Sequence, residues 1–234
     1  MSQIKQHPLI ILAKGLGTRM AISKPKTLIE LSSGQTILSR LLQEACSAKT
    51  IDRIVLLVRN DSRELQKELN RSTLPIEVIV EEPQGYFRDL VAAKKKLSLS
   101  EFSVVDSDLV VPHGELTYFL SQAAKKVAWL TIGTTSFPEE QSGRPTWVDM
   151  DSNGHIRNMN RIRPLPYRTL GVFHWDESAL DIRDRQITAE TSIMTYIIEH
   201  LGAGHDIEGL QFSRAVNVNT KEDIVAASRL ITLE

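Results

Sequence analysis

The sequence predicts a single α/β domain, a mostly parallel mixed sheet flanked by helices. Short, continuously apolar runs such as Leu9–Ala13 and Ile54–Val58 suit strands buried on both faces. Between the runs, apolar residues recur at helical spacing, as at Ile37, Leu38, Leu41, Leu42 and Ala45. The alternation persists over roughly the first 130 residues, the pattern of strands joined by crossover helices.

The elements follow in order. Leu9–Ala13 is a strand, followed by a glycine-containing loop over 14–19. Residues 36–48 predict a helix and Ile54–Val58 a strand. Asp61 and Glu64 have the spacing of an N-cap and its partner, opening a helix to about Asn70. Strands are expected at 76–80, 102–106 and 127–132, with helices at 86–97 and 114–124 between them. Residues 134–144, with Pro138 and Gly143, predict a loop. The texture then changes. Thr146–Met150, the polar turn 151–154 and His155–Arg157 form a hairpin pattern. A strand at 170–175, a helix at 190–201 and a short strand at 215–219 complete the run. Thr220 and Asp223 have capping-box spacing and start a final helix over about 221–231.

Composition narrows the function. The 234 residues carry 28 Lys+Arg against 29 Asp+Glu, a net charge of −1. A polybasic nucleic-acid binder would show a strong cationic excess, so no nucleic-acid partner is expected. No apolar run approaches the ~20 residues of a membrane span, so no membrane partner is expected, and a cytoplasmic location is. The lone Cys46 excludes an internal disulfide framework and a cysteine-based zinc cluster. The six histidines show no metal-ligand spacing in sequence, which favours packing or surface roles. The oligomeric state is left open.

The chemistry concentrates in three stretches. Leu12-Ala-Lys-Gly15-Leu-Gly17-Thr18-Arg19-Met20 follows the first strand, and Pro25-Lys26 comes shortly after. Glycines let the backbone approach a phosphate closely, Arg19 can grip one bidentately, and Lys26 offers a point charge. A dinucleotide fingerprint would need glycine where Met20 stands, and a P-loop would need Gly-Lys-Ser/Thr, which is absent. A tight strand-to-helix turn is the simpler alternative. Second, Asp106 and Asp108 close the fourth predicted strand. Two apart, they would share a face and suit Mg²⁺ with substrate phosphates. Third, Asn217 and Asn219 alternate just before the last helix. Either could offer a neutral oxygen to a cation, and Thr220 caps the helix.

The order L-A-x-G-x-G-T-R-M, then P-K-x-L, resembles the sugar-phosphate nucleotidyltransferases, also called NDP-sugar pyrophosphorylases. The Asn-Val-Asn-Thr segment is similar to their molybdenum-cofactor guanylyltransferase branch. The resemblance implies a Rossmann-like, GT-A-like nucleotidyltransferase fold over 1–234. Its N-terminal half would bind an NTP, and residues of about 135–210 a phosphorylated small molecule. It implies a Mg²⁺-dependent transfer that releases pyrophosphate. Arg19 and Lys26 would be catalytic. Leu12, Ala13, Gly15, Gly17, Thr18, Gln84 and Gly85 would hold the nucleotide. Asp108 with Asn217 or Asn219 would hold the metal, with Asp106 as support or partial ligand. Lys14 stands where the family has a small residue and is either a solvated surface lysine, the reading preferred, or an extra phosphate contact. The glutamate that sugar-specific members carry is replaced by 158–164, in a basic region that includes Arg161. That region is either a solvated loop or a seat for an acidic substrate. Glu190 is either a substrate contact or a helix-start residue. A GT-A glycosyltransferase, which also uses a D-x-D motif, and a non-catalytic nucleotide-binding relative are the alternatives. The glycine loop with Pro-Lys argues against the first, and retention of Arg19, Lys26 and Asp108 against the second.

Overall fold

The computed structural model describes residues 5–14, 24–59, 63–136, 145–180 and 192–232. Strand β1 (His7–Ala13) pairs in parallel with β2 (Ile51–Val58) on one side and β4 (Phe102–Asp106) on the other. β2 continues to β3 (Ile76–Val80), also parallel. Beyond β4 lies β9 (Tyr167–Trp175), antiparallel to both β4 and β6 (Leu130–Thr135). β10 (Ile207–Phe212) closes that edge in parallel with β6. The order is therefore β10-β6-β9-β4-β1-β2-β3. The hairpin of β7 (Trp147–Met150) and β8 (Ile156–Asn160) joins through β7 to β9.

Period-two alternation in β1 divides the core. Leu9, Ile11 and Ala13 face one cluster, shared with α1 (Ile37–Ser47), α4 (Glu115–Ala123) and α6 (Lys221–Thr232). Ile10 faces the other, with Phe87 and Leu90 of α3 (Tyr86–Lys96) and Ile193 and Ile197 of α5 (Ile193–Gly202). Each fully buried Ile or Leu side chain contributes roughly 1.5–3 kcal/mol of transfer free energy. A sheet covered on both faces explains why its central strands are continuously apolar. Caps are local: Thr36 accepts from the Ser39 amide at the start of α1, and Ser192 from the Met194 amide at the start of α5.

Several expectations shift. The strand expected at 127–132 runs Leu130–Thr135, because Val127 is 98% exposed and outside the sheet. Thr134 and Thr135, expected in a loop, are therefore buried sheet residues. β10 was not foreseen; Glu208 and Gly209 interrupt its apolar pattern. The last strand is only β11 (Val216–Asn217), antiparallel to β5 (Leu109–Val110). Asp108 therefore lies past β4, in the turn before β5, rather than on a shared strand with Asp106. The expected N-cap Asp61 lies outside the described residues. α2 (Arg63–Leu69) is otherwise as expected.

At the opposite ends of β1, β4 and β9, a buried polar chain ties the strands together. His7 Nε2 meets Ser103 Oγ at 2.8 Å, and Ser103 Oγ meets His174 Nδ1 at 3.0 Å. His174 Nε2 then pairs with Glu101 at 3.2 Å, which also pairs with Lys5. His7, Glu101 and His174 form one of two clusters of three or more His and carboxylate groups among the described residues; the other is His155, Asp206 and Glu208. The sheet assembles both from distant positions, which sequence spacing does not reveal.

Burial, with His174 alongside, lowers the His7 pKa to about 3. Burial raises the Glu101 carboxyl, but His174 and Lys5 outweigh it and bring it to about 2. The folded protein thus binds fewer protons at His7 than the unfolded chain, whose histidine titrates near 6.5. Stability should fall as the pH drops from about 6.5, by up to about 3 kcal/mol at pH ~4.5, before Glu101 begins to contribute its own loss. Urea denaturation at stepped pH checks this. His7→Gln should flatten the decline between pH ~6.5 and ~4.5; an unchanged slope would remove His7 as its cause.

Candidate active site

The parallel strands turn in opposite directions at β1, with β2 and β3 on one side and β4 on the other. A crevice opens beyond their carboxyl ends at such a switch point. Leu12, Lys14, Asp106 and Asp108 all lie there. Two cavities meet at this edge. One, of about 280 Å³, is lined by Leu12, Lys14, Lys26, Gly85, Asp89 and Asp108, among others. The other, of about 260 Å³, is lined by Arg161, Arg168, Gly171, Met194, Asn217 and Asn219, among others. Tyr86 and Asp106 line both.

Lys26 joins the two. It opens a 3-10 turn (Lys26–Leu28) after Pro25, whose φ of −54° presets the entry. Its Nζ donates to Asp108 Oδ2 at 3.1 Å and to Asn219 Oδ1 at 2.8 Å. The β5–β11 ribbon brings these partners together, and the Val218 amide donates to the Asp108 carbonyl at 2.8 Å. Asp223 fixes the next turn by accepting from the amides of Asn219 and Thr220, both at 2.8 Å, and Thr220 Oγ1 accepts from the Asp223 amide. This is the expected capping box, and it occupies Asp223 with backbone.

Asp106 ends β4 with its Oδ1 closed off from solvent and without a hydrogen-bond partner among the described residues. The same holds for the Tyr86 hydroxyl and Asn217 Oδ1. Burial first, and the neighbouring Asp108 second, push the Asp106 carboxyl up to about 8, offset in part by Tyr86 and Lys26. The Asp106 side chain packs against Gly171 of neighbouring β9, where a Cβ would sit 1.9 Å from Asp106 Oδ2.

The sequence-derived candidates fall into groups. Lys26, Asp106, Asp108, Asn217 and Asn219 converge on the junction. Leu12 and Gly85 line the first cavity, and Gly85 adopts φ 114° at the start of α3, a conformation that favours glycine. Ala13 does not line either cavity, because alternation along β1 turns its side chain into the core. The Gln84 side chain is exposed, and its backbone N–H donates to Asp89 Oδ1 at 3.1 Å. Of the basic region, Arg161 and Arg168 line the second cavity, Arg168 lying 5.8 Å over the Trp147 ring. Arg157 is bound to Asp151 at 3.0 Å. Gly15, Gly17, Thr18, Arg19 and Glu190 lie outside the described residues.

Lys14 is not a surface lysine. Its side chain is 7% exposed and pairs with Asp89 at 3.1 Å and Glu81 at 3.7 Å. Asp89 lies 75 positions away on α3, so local sequence carries no sign of the pair.

Residues 8–92 match the family model IspD, 2-C-methyl-D-erythritol 4-phosphate cytidylyltransferase. The bifunctional protein GlmU of Buchnera aphidicola subsp. Schizaphis graminum is 32% identical over 123 residues, covering 53% of this chain and 25% of that protein. The chain thus spans about a quarter of the length of the curated relatives it matches. Among solved structures, the inositol-1-phosphate CTP transferase from T. maritima superposes with a TM-score of 0.75 at 16% identity, covering 97% of this chain and 96% of that one. UDP-glucose pyrophosphorylase complexed with UDP-glucose gives 0.79 at 15%, covering 96% and 97%.

The packing of Gly171 against Asp106 is directly testable. Gly171→Ala should lower stability by about 1–3 kcal/mol, since Asp106 must move. Gly202→Ala, where a Cβ meets nothing within 4 Å, should be neutral or mildly stabilising. Chemical denaturation of both variants makes the comparison, and equal effects would contradict the contact. The chain shares the fold of these nucleotidyltransferases over nearly its whole length, and its N-terminal half is similar in sequence to the cytidylyltransferase model and to GlmU.

Proposed function

We propose that the protein transfers a nucleotidyl group from an NTP to a sugar phosphate or similar phosphomonoester, giving an NDP-linked product and pyrophosphate. One observation carries this reading. Two cavities meet at Asp106, and Lys26 bonds across the junction to Asp108 on one side and Asn219 on the other. A two-substrate phosphoryl transfer needs that geometry: two seats whose reacting atoms meet beside a positive charge.

The first cavity takes the nucleotide and the second the phosphomonoester. In the reaction, a phosphate oxygen of the acceptor attacks the α-phosphorus in line. The bond from that phosphorus to the bridging oxygen of the β-phosphate breaks, and pyrophosphate leaves with the electron pair. No protein nucleophile is required. Lys26 stabilises negative charge on the transferring group, and Arg19, by the family motif, holds the β- and γ-phosphates. Arg161 and Arg168 supply cationic walls for an acidic acceptor. Apolar Phe173, Ile193 and Met194 shape the remainder.

Magnesium is the cofactor we infer. The oxygens present suit a hard cation: two carboxylates and two side-chain amides, of which Asp106 Oδ1 and Asn217 Oδ1 are buried without partners. Asp108, with Asn217 or Asn219, would hold it, and Asp106 adjoins. Bound there, the ion would neutralise charge on the triphosphate. No helix among the described residues is long and apolar enough to cross a membrane.

Purified protein with Mg²⁺ should release pyrophosphate from an NTP when given a suitable member of a phosphomonoester panel. Lys26→Ala should lower turnover by about a hundredfold or more, in the range typical of a removed electrostatic stabiliser. No release from any NTP across a broad panel would overturn the reading, and wild-type turnover in Lys26→Ala would remove Lys26 from it.

A further inference from the structure

Lys5, His7, Glu101, Ser103 and His174 meet at the ends of β1, β4 and β9 that lie away from the two cavities. Glu101, His174 and Ser103 follow one another in the order of a carboxylate–imidazole–hydroxyl catalytic triad. Ser103 is fully buried, however, so no substrate reaches its hydroxyl.

The protons of the chain, with both rings neutral, point elsewhere. The Glu101 carboxylate only accepts, so His174 carries its proton on Nε2, 3.2 Å away. His174 Nδ1 is then a lone pair, and Ser103 Oγ donates to it at 3.0 Å. The Ser103 oxygen is left to accept, and His7 donates to it from Nε2 at 2.8 Å. His7 Nδ1 remains as a bare lone pair. It belongs to a side chain that is 1% exposed, and it has no hydrogen-bond partner among the described residues. Thr131 pairs with His174 across β6 and β9, and its Oγ1 is likewise buried without a partner. A buried lone pair with no donor is costly until an electron-poor group meets it.

The same side chains carry the donors of a metal site. His7, His174 and Glu101 each offer a ligand atom, and these atoms lie within 4.8 Å of one another. Bonds of about 2.1 Å in a tetrahedral site set donors roughly 3.4 Å apart, so the three need to close by ~1 Å. We propose that His7, His174 and Glu101 bind one Zn²⁺ ion that clamps β1, β4 and β9 together, at a site separate from the proposed magnesium site. Two imidazole nitrogens and a carboxylate oxygen suit zinc, whereas magnesium prefers oxygen alone. Ser103 fits the loaded state as well as the empty one. With His7 Nδ1 and His174 Nε2 on the ion, both remaining ring N–H groups face Ser103 Oγ, whose two lone pairs accept them. The protons balance: His174 moves its proton from Nε2 to Nδ1, and the Ser103 hydroxyl turns away, with none gained or lost. Lys5 competes for Glu101, but its side chain is 66% exposed and swings into solvent as the ion enters. Water fills the fourth position, as in other zinc sites with three protein ligands.

The test uses the full chain, stripped of metal with a chelator and then held in excess Mg²⁺ to occupy the other edge. Calorimetric titration with Zn²⁺ should give one ion per chain. The melting temperature should rise by about 5 °C or more once zinc exceeds its Kd roughly a hundredfold. Co²⁺ in place of zinc should show the visible absorption of a tetrahedral site. His7→Gln, with its fold confirmed by circular dichroism, should weaken zinc binding by about a hundredfold or more, at least the loss seen when a supporting partner of a ligand is removed. Asp108→Asn should leave zinc binding unchanged. No zinc bound by the wild type, wild-type affinity in folded His7→Gln, or loss of binding in Asp108→Asn overturns the proposal. If His7→Gln does not fold, anomalous scattering from zinc-loaded wild-type crystals decides. A peak among His7, His174 and Glu101 supports the site, and peaks only elsewhere overturn it.

Discussion

The ammonium of Lys26 is the interaction on which the site depends. It spans 82 positions to Asp108 and 193 to Asn219, so one side chain fastens the first motif to the middle and the end of the chain. Its donors face the Asp108 and Asn219 oxygens directly, where Asp106, Asp108, Asn217 and Asn219 otherwise bring oxygen near oxygen at one edge of the sheet. That arrangement is unfavourable unless positive charge compensates it. The raised Asp106 carboxyl records the same pressure, since burial and Asp108 both disfavour a second charge there.

The topology makes this convergence possible. Parallel β1 and β4 deliver their carboxyl ends side by side, and antiparallel β9 runs alongside β4 and sets Gly171 against Asp106, where a side chain would displace that carboxylate. The two-residue ribbon of β5 and β11 then draws the end of the chain back to β4. The buried chain from His7 to Glu101 sits at the far ends of the same strands. It anchors the sheet away from the chemistry, so the site edge can carry partly unsatisfied groups.

Much of this was legible in the sequence because it is local. Apolar runs gave β1, β2 and β4, helical spacing gave α1, and Thr220 with Asp223 gave the last cap. The residues at the junction were also legible, since Lys26, Asp108 and the two asparagines stand in ordered short motifs. What escaped was non-local. The burial of Lys14 against Asp89 is not visible locally, because Asp89 is far along the chain. The period-two geometry of β1 turns the Ala13 side chain into the core, which leaves only its backbone to face a ligand. β10 was missed because an edge strand interrupted by Glu208 and Gly209 lacks a clean apolar pattern. Asp108 was placed on a strand that ends two residues earlier, yet the turn still carries it to the cavity.

The central claim is that the Lys26 bridge marks the place where triphosphate and cation meet the acceptor. A crystal structure with Mg²⁺ and a non-hydrolysable NTP analogue tests it most directly. The account predicts a cation against Asp108 and at least one of Asn217 and Asn219, with Lys26 Nζ reaching a phosphate oxygen. An analogue bound elsewhere, with Lys26 still joined to Asp108 and Asn219 alone, would contradict it.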